Sequence, residues 1–433
     1  MAANTHRGFQ DVRQATNQLI LGNSLHDFKG SDDEKIVQNF FKVILTDPGF
    51  VRFVNLEIRN CNAEDGTSFR DAYISLRATY ECMMRARANF VTERPSCEGV
   101  EIRDLLNTDS LEDFLSRGVD AIGNRTQPDV CQSFWALLNF LREIKTHEGA
   151  IRRLLNIAPK NTTKKTQIMT GLAHHLFSQL VPNKKYEVDE NIKNLPQTCG
   201  CGCNSNICGG NTSIGSRETW HGQVDIMVNG VVVVAFGKEH SAAEDEKDED
   251  TVEYEPPRKQ IRMKTEESCD MCVEIQRNRS HESDLLDLKF LNQILAEAVI
   301  NGFAQVNKNK STFSNFLIPT IGATSERVTV CLYDSENDCL LHIDDELQLW
   351  DVSDTRQLDH ETIIIIWLFL NFTLFSKRNL AISTKLKKSG LHRILNENLK
   401  YYKQTKTNEN FDLHTLDRRP WIKATVEIKH PDT

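Results

Sequence analysis

Four cysteines, Cys199, Cys201, Cys203 and Cys208, are interleaved with and followed by glycines at 200, 202, 209 and 210. Thiolates are soft donors, and a glycine-rich backbone lets several of them turn toward one ion. The run C-x-C-x-C-x4-C is therefore a candidate structural Zn²⁺ site, because four thiolates leave no open position for a substrate. Cys269 and Cys272 form a C-x-x-C that could close the same site with two of the first four. The competing reading is a loop of reduced thiols, since the spacing is not that of a paired zinc ribbon. A second set of residues offers hard oxygen and charge: Asp225, followed after an Asn229-Gly230 pair by Lys238 and Glu239. Carboxylates suit Mg²⁺, which lowers the pKa of an attacking water, and a lysine neutralises charge developing on a phosphate. His221 and Gln223 alternate with Asp225 and share its face if the chain there is extended. The adjacent His174 and His175 project about 100° apart on a helix, too far to share an ion, and are expected to be core-edge and surface histidines rather than ligands.

These groups need elements to position them. Ile168, Met169, Leu172, Leu176, Phe177 and Leu180 make one apolar helical stripe. The β-branched runs on either side of Asn229-Gly230 predict a hairpin, because both turn positions tolerate positive φ. Leu288, Leu291, Leu295, Ala298 and Gly302 predict a long amphipathic helix over about 284–305, carrying Gln293. Strands follow at Phe316–Ile321 and Val328–Tyr333, and Asp334-Ser-Glu-Asn-Asp closes a hairpin. Thr362–Phe375 spans only roughly 21 Å as a helix, short of the roughly 30 Å of a bilayer core, so it is expected to be buried in protein. Residues 1–160 are expected to be mostly helical, 161–378 to form an α/β core with a Cys-rich loop at 196–215, and 379–433 to be a basic tail. Within 238–283 the run Glu244–Asp250 carries six acids and one Lys, so this insertion is expected to solvate and stay disordered.

An acid on one hairpin strand, a lysine at the end of the next and a glutamine on the following helix, as in Gly222-Gln-Val-Asp225-Ile, Phe236-Gly-Lys238 and Gln293, resemble the PD-(D/E)XK, restriction-endonuclease-like, nuclease fold. Trp220-His-Gly-x-Val-Asp-Ile, Phe316-Leu-Ile-Pro and Tyr333-Asp-Ser-Glu-Asn-Asp also resemble a group of uncharacterised invertebrate proteins with nuclease-like cores. The resemblance covers roughly 165–378 and rests more on the order of elements than on letters. It implies an α/β core behind a helical N-terminal region, Mg²⁺ on Asp225, phosphate contact by Lys238 and orientation by Gln293. The chain departs from the pattern where the second acid belongs, two residues before Lys238, because Phe236 stands there. Glu239 or His221 would then have to complete the shell.

With 52 Lys and Arg against 61 Asp and Glu and 39% hydrophobic residues, the chain is typical of soluble globular proteins, which excludes wholesale disorder. Met1–Asn17 lacks the apolar segment of a secretory signal, and an intracellular address, nuclear or cytoplasmic, is the expectation. Pro256–Lys264 resembles a weak nuclear-import patch. Lys377–Lys406 holds nine Lys or Arg and one acid. There, Lys385, Lys388 and His392 recur on one side of an expected basic helix, and Lys385, Lys387, Lys388, Arg393 and Lys400, with Tyr401-Tyr402 beside them, are candidates for a nucleic-acid backbone and its bases. Two functions follow. One is a nucleic-acid-binding protein, DNA or RNA, with a degenerate or altered metal-dependent nuclease site and no membrane role. The other is a catalytically inactive, zinc-stapled interaction scaffold that meets protein partners through the helical region or the acidic insertion.

Overall fold

The computed structural model describes residues 25–47, 49–77, 99–122, 128–156, 163–237, 287–309, 313, 315–353, 357–378 and 385–407. Lys238, Glu239, Cys269, Cys272 and the charged insertion lie outside them. The strands in chain order are β1 (Arg52–Asn55), β2 (Ile58–Cys61), β3 (Ile74–Leu76), β4 (Gly99–Glu101), β5 (Tyr186–Asp189), β6 (Gly209–Gly210), β7 (Ser213–Gly215), β8 (His221–Gln223), β9 (Ile226–Val228), β10 (Val232–Phe236), β11 (Leu317–Ala323), β12 (Arg327–Asp334), β13 (Cys339–Ile343) and β14 (Leu347–Gln348). The helices used below are α1 (Asp32–Thr46), α2 (Asp109–Arg117), α3 (Pro128–Arg142), α4 (Ile144–Leu155), α5 (Thr163–Leu172), α6 (Leu288–Asn309), α7 (His360–Leu370), α8 (Leu391–Leu395) and α9 (Leu399–Tyr402).

One sheet runs β4-β1-β13-β12-β11-β10-β9-β5-β6, with β14 added to β12. Strand β9 is antiparallel to both β5 and β10, β10 is parallel to β11, and β11 is antiparallel to β12. The parallel pair requires a crossover, which α6 supplies. Side-chain alternation then divides the core. Val232, Val234 and Phe236 pack with the layer containing α1 to α5 and α7. Val233 and Ala235 pack with α6, α8 and α9 on the other face. The result is a mixed α and β architecture with helices on both sides of a mixed sheet.

The Asn229-Gly230 turn has φ of 52° and 68°, the left-handed pair that a tight hairpin demands. Helix α6 lies close on the sheet: a Cβ on Gly302 would come within 2.8 Å of the Tyr333 ring, and one on Gly322 within 2.4 Å of Ile294. Helix α7 is buried on every side from Thr362 to Leu370, with Trp367 Nε1 donating to the Ser133 carbonyl at 2.9 Å, so its apolar run is core. Among the described residues no helix is long and apolar enough to cross a membrane.

Two expectations about the ends of the chain change. The N-terminal region is not only helical: β1 and β4 extend the large sheet, and β1 pairs with β13 through Phe53 and Ile343. Short strands of three or four residues offer too little alternation to be seen in the sequence. The basic C-terminal segment is, over its described residues 385–407, no free tail. Leu391, Leu395 and Tyr402 are fully buried, and the Tyr402 hydroxyl donates to the Ala63 carbonyl at 2.7 Å. Nor is it one continuous helix, because 385–390 is irregular and Gly390 sits at φ +84° before α8 begins. Lys385, Lys388 and His392 therefore do not share a helical side.

Candidate metal centre and carboxylate site

Helix α5 runs on into a π-helical turn at Ala173–Phe177. The His174 and His175 rings stand 80° apart, so the neighbours serve different partners. His174 Nδ1 lies 3.4 Å from the Tyr186 hydroxyl. His175 Nε2 lies 3.1 Å from Cys201 Sγ, 3.5 Å from Cys199 Sγ and 3.6 Å from Cys203 Sγ. The cysteines arrive on a tight loop in which the Cys199 N–H donates to the Ser205 carbonyl and Gly202 adopts φ +86°. The four donor atoms all lie within 4.8 Å of one another and could hold a metal ion. With Zn–N and Zn–S bonds of ordinary length, a tetrahedral site sets N and S about 3.6 Å apart, so the cluster needs little adjustment to accept zinc.

The electrostatics suit such an ion. Burial pushes His175 down to about 3, so the imidazole is neutral at pH 7, the form that ligates. Burial pushes the Cys199 thiol up to about 12. For Cys203 burial works upward but is outweighed by hydrogen bonds from Ser205 and the neighbouring thiols, and its net shift is downward. A cation would supply the charge that lets the buried thiol ionise.

The fourth donor is therefore His175, not Cys208. Cys208 is not among the donor atoms that gather there, and its carbonyl accepts the Val188 N–H in the β5 ladder. The angle between adjacent helical positions does keep the two histidines apart, but it leaves either of them free to join the cysteines. A signal was present: a histidine on a helix shortly before a cysteine run, with a thiol set of odd count once Cys208 is removed.

The carboxylates gather at one end of the sheet. Because β9 opposes β5 and β10, its start lies beside their ends. Asp225, at a bend just before β9, accepts the Phe236 N–H through Oδ2 at 2.7 Å, and its carbonyl accepts the Asp189 N–H at 3.2 Å. From α6, Gln293 donates to Glu297 Oε1 at 2.8 Å, while Oε2 is buried with no hydrogen-bond partner. Burial first, and Asp225 second, raise Glu297 to about 8. Asp189 is also raised, by burial ahead of the Asp225 charge. From the opposite face, Lys165 on α5 sets Nζ 6.0 Å from the centre of the Phe236 ring and acts on Glu297 as an attractive charge.

Asn301 fixes this helix, donating to the Val231 and Pro319 carbonyls, and Gln305 donates to Gly230. Gln293, Glu297, Asn301 and Gln305 thus recur every four residues as a polar row on α6. That period is legible in the sequence, running between the residues of the apolar stripe.

Asp225 and Gln293 are brought to this site; His221 is not. The extended path from His221 to Asp225 breaks at the bend, and β8 pairs with β7 in a separate two-stranded sheet. His221 Nδ1 there faces the Thr219 carbonyl at 3.0 Å. Phe236, at the position of the missing acid, is 1% exposed and belongs to the core.

Of the basic candidates, Lys385 pairs with Asp104 at 2.7 Å, while Lys387, Lys388, Arg393 and Lys400 are exposed. An open cleft of about 940 Å³, lined in part by Glu218, Lys308, Tyr401, Lys403 and Lys406, adds further lysines to these candidates. No family model matches the chain, and no curated protein or solved structure is significantly similar to it.

Proposed function

We propose that this chain is a nucleic-acid-binding protein on a PD-(D/E)XK-like core, with an altered, Mg²⁺-dependent phosphodiester-hydrolysing site and a zinc staple beside it. The observation that carries the reading is the buried, half-unpartnered carboxyl of Glu297, which feels the charge of Asp225 at the end of the sheet where β9 begins. The strand directions in this part of the sheet, a reversed second strand and a parallel fourth, support the same reading.

In it, Glu297 replaces the acid that Phe236 cannot supply. Asp225 and Glu297 would hold Mg²⁺, whose chemistry is to polarise a phosphate and lower the pKa of the attacking water. Asp225 is aimed by the Phe236 amide, and Gln293 holds one Glu297 oxygen, leaving the other without a protein partner. Lys165 offsets negative charge from the α5 side, and the exposed Lys387, Lys388, Arg393 and Lys400, with the lysine-lined cleft, bind the phosphate backbone. The test is cleavage of single- and double-stranded DNA and RNA with Mg²⁺ or Mn²⁺, beside Asp225→Ala and Glu297→Gln. Activity lost in both variants is expected; activity unchanged in either overturns this assignment.

One observation favours the inactive scaffold instead: Phe236 is well-packed core. Binding that weakens with salt but never leads to cleavage under any divalent metal would decide for a binding role; no binding at low salt would decide for the scaffold.

A further inference from the structure

The metal centre has an outer layer on α4. His147 is 7% exposed, and its ring stacks on Phe140 at 5.0 Å and 10°. Its Nδ1 lies 3.4 Å from Nδ1 of His175, the ring nitrogen that does not face the sulfurs. Its Nε2 is buried, with Glu143 Oε2 4.0 Å away. From the same helix, Arg153 Nε donates to the Cys201 carbonyl at 2.9 Å.

We infer that His147 is a positioning residue for the metal centre, forming a relay His147–His175–metal that fixes which nitrogen of His175 binds the ion. The inference rests on zinc occupying the His175, Cys199, Cys201 and Cys203 cluster. If Nε2 of His175 takes the metal, its proton must sit on Nδ1, and the only role left for Nδ1 of His147 across 3.4 Å is acceptor. The His147 proton then sits on Nε2, toward Glu143. A ligating imidazole that donates from its other nitrogen is held in orientation and is a stronger donor, and removing such a partner typically weakens metal binding about 10- to 100-fold. His147 is not a fifth ligand, because it meets His175 from the side away from the thiols. With Arg153 holding the cysteine loop, α4 braces both the imidazole and the sulfur halves of the site.

The experiment uses the full chain. Zinc affinity is measured by competition with a chromophoric chelator for the wild type, for His147→Phe, which keeps the stacking but lacks an acceptor, and for His147→Asn, which retains one. His147→Phe is expected to bind one zinc about 10- to 100-fold more weakly, with a shifted visible spectrum when Co²⁺ replaces zinc, and His147→Asn to recover part of both. Equal affinity in the wild type and His147→Phe, or equal losses in the two variants, overturns the relay while leaving the zinc site intact. A wild type that binds no zinc overturns both. Imidazole ¹⁵N spectra of the zinc-loaded wild type need no variant: the proton is expected on Nδ1 of His175 and Nε2 of His147, and the reverse placement overturns the relay.

Discussion

Cys199, Cys201 and Cys203 lie within one short loop, and a single helical residue, His175, completes their set. Asp189, Asp225 and Glu297 instead come from a strand end, a bend and the middle of a long helix. The first set offers three sulfurs and a nitrogen within 4.8 Å of one another, the number of donors a closed structural zinc site requires. The second is open, with one carboxylate oxygen left buried and unpartnered. A buried carboxyl with only one oxygen hydrogen-bonded costs stability. The contrast is between donors gathered mostly by one stretch of chain and donors gathered by the packing of separate elements.

The largest effect is expected at the closed sulfur centre. His175→Ala should abolish stoichiometric zinc and destabilise the protein by on the order of 5 kcal/mol, since structural zinc contributes directly to folding. Metal analysis and thermal melting with and without chelator check it; unchanged melting on chelation would reduce the cluster to free thiols.

The next largest effect is expected at Phe236. Phe236→Glu buries a carboxyl where a ring packed and should cost about 3 kcal/mol, partly offset by Lys165. If the site accepts divalent metal, Mg²⁺ or Mn²⁺ should recover part of the loss, and Asp225→Ala in the same background should remove that rescue. Destabilisation with no rescue would mark Phe236 as core alone.

A smaller effect, of opposite sign, is expected at Glu297. Its folded pKa stands near 8, above its ordinary 4.5, so its contribution favours the fold at low pH and is lost as pH rises from there through about 8. In EDTA, Glu297→Gln should therefore gain steadily on the wild type across that window and level off above about pH 8. Mg²⁺ should narrow the gap by stabilising the ionised wild type. A difference that does not change with pH would remove Glu297 from the open site.

The smallest stability effect belongs to the surface. Replacing Lys387, Lys388, Arg393 and Lys400 by Gln should move stability by less than about 0.5 kcal/mol each. Every substitution that removes a cation from a phosphate should nevertheless lower the salt slope of nucleic-acid binding by about one. An unchanged slope would move the interface to the cleft at Lys308, Lys403 and Lys406.

Features that depend on neighbours along the chain can be read without the fold. The Asn229-Gly230 hairpin, the long helix carrying Gln293, the buried apolar helix after Thr362 and the thiol cluster at Cys199–Cys203 all follow from local periodicity, turn chemistry and spacing. Features that depend on direction and distance wait for the packed chain. Packing substituted His175 for Cys208, because a π turn faces one imidazole toward the loop while Cys208 is taken up by the β5 ladder. It removed His221, because the chain bends at Asp225 and leaves β8 in another sheet. It brought in Glu297 and Lys165, which lie far from Asp225 in sequence, because helices on opposite faces of the sheet converge at the end where β9 reverses. Strand β1 joined β13 across most of the chain for the same reason: pairing partners are chosen by how the layers stack, and no local pattern encodes that choice.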